Sequence, residues 1–449
     1  MSDDLRRLWG PDFLWGCATA ALQIEGASQL RESTWWDDFC RDHPERIFGG
    51  ATPEPACDHY QRYQEDLDWA QQLGHNAYRF SISWPRGKAG LDFYDRLVDG
   101  CLARGIQPLA TLYHWDLPSR LESWENPAAA EELADFAQIC AQRLGDRISH
   151  WMTLNEPGWS LMNGYVTGLH PPQVQDLGRA FSAAHQQMRA HHLCLAALRQ
   201  NGAKGKMGLA LNLSPVTPLT RSAKDLRAAR WAEDYLNQWF LQAALLGRYP
   251  ERAARLLERT RTFSALSLPP AQSCDFLGVN YYYPKWARHS RGPDGFALNT
   301  SGDGQASCHF CLQGKLEFAS PPGRAKTEWD WDIDAPGLER LLLQLSHQFP
   351  GLPLLVTENG LGRREAWGDF HDPERIEFVA AHLQAIARAR TQSADVRGYL
   401  MWSLMDNFSW LNGYTKRYGL LAIHPETLQR HPKSSAHWLR QIIVQEREL

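Results

Sequence analysis

The 449 residues lack any excess of positive charge: 47 Lys and Arg face 51 Asp and Glu, a formal net charge of −4. The basic stripe that tracks a phosphate backbone is missing, so nucleic acid is not an expected partner. Long apolar runs are missing too. Phe13 to Ile24 is too short to span a bilayer and is interrupted by Gly16, Thr19 and Gln23, so no membrane partner is expected. The start, MSDDLRRLWGPDF, is polar and mixed in charge, not the order of a secretory leader, which points to the cytoplasm. Nine cysteines form an odd set scattered over a long chain, unlike a disulfide framework. Cys308 and Cys311 make a lone C-x-x-C with no second pair and no suitably spaced His pair, so they read as a surface-loop feature and no metal is expected. A low-complexity linker that would divide the chain is also absent.

Aromatic residues, by contrast, are plentiful: 19 Trp, 14 Tyr and 17 Phe. Flat rings suit sugars, but they also fill cores, so their number alone decides nothing. Their setting is more informative. Short β-prone runs read as buried strands near Leu14 to Ala18, Ala77 to Ile82, Gln107 to Tyr113, His150 to Leu154, Lys206 to Leu211, Phe276 to Val279, Leu354 to Val356 and Gly398 to Trp402. Between them lie amphipathic helical patterns at Tyr60 to Leu73, Ala128 to Leu144, Gly178 to Gln200, Ala223 to Leu246, Leu338 to His347 and Pro373 to Arg390. The Gly-, Asp- and Ser-rich stretch Ser290 to Ser307 reads as a long loop after the sixth strand. Repetition of strand and helix predicts an α/β fold, a single (β/α)8 TIM barrel over residues 1–449, with its active site at the C-terminal ends of the strands.

Polar and aromatic residues gather at those ends. Gln23 and Glu25 follow the first strand, Arg79 lies on the second, His114 and Asp116 follow the third, and Asn155 and Glu156 the fourth. Asn280 and Tyr282 follow the sixth, Glu358 and Asn359 the seventh, and Trp402 with Asp406 the eighth. Any one could be a cap or a solvated loop polar; seven of eight strands contributing argues for a site. Glu156, in Thr-Leu-Asn-Glu-Pro, and Glu358, in Thr-Glu-Asn-Gly, can face each other across a barrel mouth. That is the arrangement for breaking a glycosidic bond with one carboxyl as acid and the other as nucleophile. Helix capping or ion pairing remains an alternative for either.

Together the segments FLWGCATAALQIEGA (Phe13 to Ala27), AYRFSISWP (Ala77 to Pro85), TLYHWDLP (Thr111 to Pro118), TLNEP (Thr153 to Pro157), FLGVNYY (Phe276 to Tyr282), VTENG (Val356 to Gly360) and GYLMWSLMDNFSWLNGYTKRYGL (Gly398 to Leu420) resemble glycoside hydrolase family 1. This is the family of β-glucosidases, β-galactosidases and 6-phospho-β-galactosidases. The resemblance implies a (β/α)8 barrel and a retaining exo-β-glycosidase on β-D-glucosyl or β-D-galactosyl residues. Glu358 would be the nucleophile and Glu156 the acid, then base. Arg79, Tyr282 and Asn280 would support the nucleophile. Gln23, His114, Trp115 and Asn155 would hold the sugar, Trp402 would floor its subsite, and Trp331 would flank the leaving group. The implied partner is a small β-glycoside or oligosaccharide, with no cofactor.

Three departures from the family pattern qualify this expectation. The connection after Ser-Trp-Pro-Arg is short, running from Arg86 through Gly87-Lys88-Ala89-Gly90 into Leu91. Gly158 stands where many members carry Trp, which removes an aromatic wall on the leaving-group side. Ser409 replaces the Glu that binds the 4- and 6-hydroxyls in ordinary β-glucosidases. Ser409, Lys416 and Tyr418 match the phosphate-binding set of the 6-phospho-β-galactosidases, and Trp410 agrees with the galacto members. The alternative substrate is thus a 6-phosphoglycoside. A transglycosylase would share the same covalent intermediate, and an inactive sugar-binding relative would lose a glutamate that this chain keeps.

Overall fold

The computed structural model describes residues 9–252, 254–255 and 268–447. The first eight residues, which carry most of the leader reading, lie outside them. Eight strands, Leu14–Ala18, Ala77–Ser81, Gln107–Tyr113, His150–Asn155, Lys206–Asn212, Phe276–Asn280, Leu354–Asn359 and Val396–Trp402, close into a parallel barrel. Each pairs with its neighbours in chain order, and the first closes the ring against the eighth. Nearly every strand residue is buried, because barrel side chains meet either the interior or the helical shell. That two-sided burial explains why the strands read as continuous apolar runs and not as alternating ones.

The interior packs Leu14, Ala18, Ala77, Leu109, Met152, Ala210, Phe276, Leu355 and Leu400, and the same cluster continues upward into Trp402 and Tyr418. Filled below, the barrel can open only at the ends where the strands finish. Register irregularities interrupt the pairing of the fourth strand between Met152 and Asn155 and of the seventh between Val356 and Glu358. Such irregularities re-aim side chains. Here they fall where the two glutamates emerge.

Helices form near the expected places, among them His59–Gln72, Ala128–Leu144, Leu177–Gln200, Ala335–Gln348 and Pro373–Thr391. The expected single helix from Ala223 to Leu246 is instead two, Ala223–Glu233 and Trp239–Leu246, joined by a π-helical turn at Asp234–Gln238. The wider turn carries Asn237, whose Nδ2 donates to Ser214 O at 2.9 Å and to Glu233 Oε2 at 2.6 Å. A tertiary partner thus overrides the local helical pattern.

The expected loop from Ser290 to Ser307 also needs correction. Its Gly295–Ala297 segment is the edge of a five-stranded sheet, ordered Val216–Pro218, Lys285–Arg288, Leu316–Phe318, His309–Leu312 and Gly295–Ala297. The rings of Phe296, Phe310 and Phe318 hold it at centroid spacings of 5.2 and 4.9 Å. Cys311 is buried in this sheet and Cys308 lines a cavity, so the pair is not a surface-loop feature. Among the described residues, no helix is long and apolar enough to cross a membrane.

Candidate active site

A cavity of about 120 Å³ opens at the C-terminal ends of the strands. Gln23, His114, Trp115, Asn155, Glu156, Asn280, Tyr282, Trp331, Glu358, Trp402, Ser409, Trp410, Lys416 and Tyr418 all line it. Arg79 does not reach the cavity surface. It lies fully buried behind Glu358 and donates Nη1 to Glu358 Oε1 at 2.6 Å and Nη2 to Asn155 Oδ1 at 2.6 Å. Tyr282 Oη donates to the other oxygen, Glu358 Oε2, at 2.8 Å. One carboxylate is therefore gripped on both oxygens.

Glu156 is held differently. Among the described residues its one hydrogen bond from a side chain comes from Asn280 Nδ2, at 2.7 Å to Oε1. Its backbone lies in the left-handed region at φ 46°, and Pro157 starts the short helix that follows. An Ala or Leu gains nothing from that conformation, and non-glycine residues held there concentrate at functional sites.

Asn155 organises the floor between them. Its Oδ1 accepts from both Arg79 and Asn280, which leaves Nδ2 to donate to His114 Nε2 at 3.0 Å. His114 is consequently the tautomer with hydrogen on Nδ1, and that nitrogen is buried with no partner among the described residues. Burial drives its pKa well below the usual histidine range, with Arg79 adding to the effect, so the ring is neutral. Gln23 donates Nε2 to Phe408 O at 2.7 Å and keeps a buried, unpartnered Oε1. His114 and Gln23 thus offer a donor and an acceptor beside flat rings: His114 stacks on Trp402 at 5.8 Å, and Trp331 stacks on Tyr283 at 4.6 Å. Trp115 braces the arrangement, donating Nε1 to Asn155 O at 2.9 Å while packing on Trp410 at 4.9 Å.

Residues 6–448 match the profile of glycosyl hydrolase family 1. The chain belongs to that family. A thermostable β-glucosidase B of Thermobispora bispora is 40% identical over 98% of this chain and 92% of its own length. An aryl-phospho-β-D-glucosidase of Bacillus subtilis is 35% identical over 96% of each chain. The crystal structure of the psychrophilic β-glucosidase BglU of Micrococcus antarcticus superposes with a TM-score of 0.89 at 36% identity, covering all of both chains. The protein is an enzyme of β-glucosidase type, acting on O-glycosidic bonds.

In this family 1 enzyme the two carboxyls differ electrostatically. Burial pushes Glu156 up to about 8, and the charge of Glu358 adds to the rise. Burial raises Glu358 as well, but Arg79 and the Tyr282 hydroxyl pull it back. One cation cannot balance two buried carboxylates, and Glu156 is the less supported partner of the two.

Several strand-end polars have structural work instead. Glu25 pairs with buried Arg86 at 2.8 Å, Asp116 accepts from Trp84 N at 3.2 Å, and Asn359 donates to Tyr281 O at 2.7 Å. Asp406 accepts from Lys433 at 2.8 Å. The cavity wall also includes residues that the sequence reading passed over: Trp159, His170, Asn212, Tyr283 and Lys285. Asn212 ends the fifth strand, one residue beyond the expected boundary, so that strand contributes after all. Tyr283 and Lys285 directly continue the Asn280 to Tyr282 motif, and that continuation was the available signal.

Proposed function

We propose that this chain, working as one catalytic domain, cleaves β-glycosides with retention, Glu358 attacking the anomeric carbon and Glu156 protonating the leaving oxygen. The observation that carries the reading is the asymmetry of the pair, one glutamate gripped on both oxygens by Arg79 and Tyr282 and the other buried with a side-chain donor only from Asn280 among the described residues. Attack forms an ester between Glu358 and the sugar as the aglycone departs with the proton of Glu156. The charge on Glu358 then vanishes, and with it a main reason for the raised pKa of Glu156. Glu156 becomes a base, takes a proton from water, and the water opens the ester from the same face. Gln23 Oε1 and His114 Nδ1–H meet sugar hydroxyls. Asn155, already tied to Arg79, is placed for the 2-hydroxyl, where contacts tighten in the transition state. Following the anomeric protons by NMR as substrate turns over tests the reading: the β-product must appear first, and initial α-product refutes it.

A specific observation favours a 6-phosphorylated sugar as a second reading. Lys416 is buried with its ammonium 3.4 Å from the centroid of the Trp331 ring and has no acidic partner among the described residues. Burial drives it well below the usual lysine range, and Cys308 and Asp330 nearby offset this only in part. Ser409 and Tyr418 share its cavity, and the Ser409 N–H closes the loop onto Gly413 O at 2.7 Å. A Glu at 409 would repel a phosphate of roughly −1.5 to −2 charge, whereas Ser donates without adding charge. A neutral 6-hydroxyl leaves the lysine uncompensated. The kcat/KM of nitrophenyl glucosides and galactosides, plain and 6-phosphorylated, decides between the readings. The phosphate reading requires a wild-type preference for the phosphorylated sugar that Ser409→Glu and Lys416→Ala both reduce.

A further inference from the structure

Past Trp159, Tyr283 and Trp331 the sugar cavity adjoins a second chamber of about 180 Å³, and those three residues line both. Trp286, Phe310 and Phe318 complete an aromatic wall. Gly158 borders the chamber, and a Cβ there would stand 3.0 Å from the ring of Phe240.

A cation is set between the two spaces. Lys285, on the inner sheet strand Lys285–Arg288, lines both. Its Nζ donates to Tyr283 Oη at 2.9 Å and lies 4.2 Å from that ring, 5.0 Å from Phe318 and 5.7 Å from Trp159. No carboxylate comes within ion-pair distance of it among the described residues. The nearby acids are committed elsewhere: Asp332 to Ser320 at 2.6 Å and Arg324 at 3.3 Å, and Asp330 to Asn299 and the backbone N–H of Ala306. An ammonium has three hydrogens to donate, and one is used. Ring faces compensate a cation only in part. Burial lowers Lys285 to about 8, which leaves it mostly charged at neutral pH, and an anion beside it would raise that value again.

We propose that this chamber is a leaving-group site for aromatic aglycones that carry a negative substituent, a carboxylate above all, with the ring among Trp159, Tyr283 and Trp331 and the anion on Lys285. The inference rests on the reading of Glu156 as the acid, since Trp159 lies three residues beyond it and faces the departing group. A sugar or alkyl aglycone would fill the space but leave the lysine unpaired.

The test compares aryl glycosides of 4-hydroxybenzoic acid, its methyl ester and its carboxamide, on whichever glycon the nitrophenyl panel selects. The ester withdraws electrons more strongly than the carboxylate and is the better leaving group, so chemistry alone favours the ester. A wild-type kcat/KM ratio of acid to ester above one must therefore come from binding. Lys285→Gln should lower that ratio about tenfold and Lys285→Arg should keep most of it. If the Gln variant does not fold, the wild-type comparison still decides, because the acid must also exceed the carboxamide, which has its shape without its charge. Turnover of the nitrophenyl glycoside with acid no better than ester or amide overturns the aglycone assignment alone. If wild type cleaves no aryl glycoside of either glycon, the catalytic reading fails and this inference falls with it.

Discussion

At the scale of single residues, the proposed mechanism depends on keeping two buried glutamates in opposite protonation states. If Glu156, which burial pushes up to about 8, is the acid as proposed, kcat/KM should fall as pH rises through about 8 and that proton is lost. Substrates with poor leaving groups should show the fall most strongly, since they need the proton most; a profile flat to pH 10 on such a substrate would assign the acid elsewhere. Tyr282→Phe removes a donor that favours the anion of Glu358. The acidic limb should then move to higher pH, and kcat should drop roughly ten- to a hundredfold for the loss of a hydrogen bond to a charged group. Glu156→Ala should slow poor leaving groups far more than activated ones, and added azide should restore turnover of the latter as the β-glycosyl azide. Equal losses with no azide product would contradict its role. That the two glutamates meet at the barrel mouth was legible in the sequence, because Asn-Glu-Pro and Thr-Glu-Asn-Gly sit directly on strand ends; their separate roles came from the family resemblance. The partners of His114 and Gln23 were not, since a buried unpaired atom is a property of packing and leaves no trace in spacing.

At the scale of elements, the loop between Trp402 and Leu421 carries Ser409, Trp410, Lys416 and Tyr418, and its place depends on a buried charge network. Lys433 bridges Asp406 of this loop at 2.8 Å and Glu365 of the preceding one at 2.6 Å, and Arg375 joins Glu365 at 2.8 Å. Lys433→Met should cost about 3–5 kcal/mol in stability, read as a lowered midpoint of urea unfolding, because it takes the near cation from buried Asp406, leaving Arg417 at 3.7 Å, and one of two cations from Glu365. A loss near zero would mean that the loop is held by packing alone. Strands were easy to locate because burial on both faces makes each one an apolar block. The break in the helix at Asp234–Gln238 was hidden, since it answers to Ser214, a residue far away in sequence. The short strand Gly295–Ala297 was hidden for a different reason: three residues flanked by Gly, Asp and Ser carry too little pattern to separate from loop.

At the scale of the whole molecule, closure of the barrel brings residues separated by hundreds of positions into one cavity, so that Gln23 meets Phe408 and Arg79 meets Glu358. The convergence was foreseeable from the repeating strands, and it also swept in polars whose work is structural, such as Glu25 and Asp406. Which strand-end polars line the mouth and which brace it is decided by three-dimensional partners. The Arg86 pairing of Glu25 illustrates this, linking the first loop to the shortened second one. The central claim is that this architecture presents Glu358 as the nucleophile. Incubation with a 2-deoxy-2-fluoro glycoside that has an activated leaving group, followed by peptide mass spectrometry, tests it most directly. The account predicts one covalent sugar on the peptide containing Glu358, absent in Glu358→Ala; a label on any other carboxylate would contradict it.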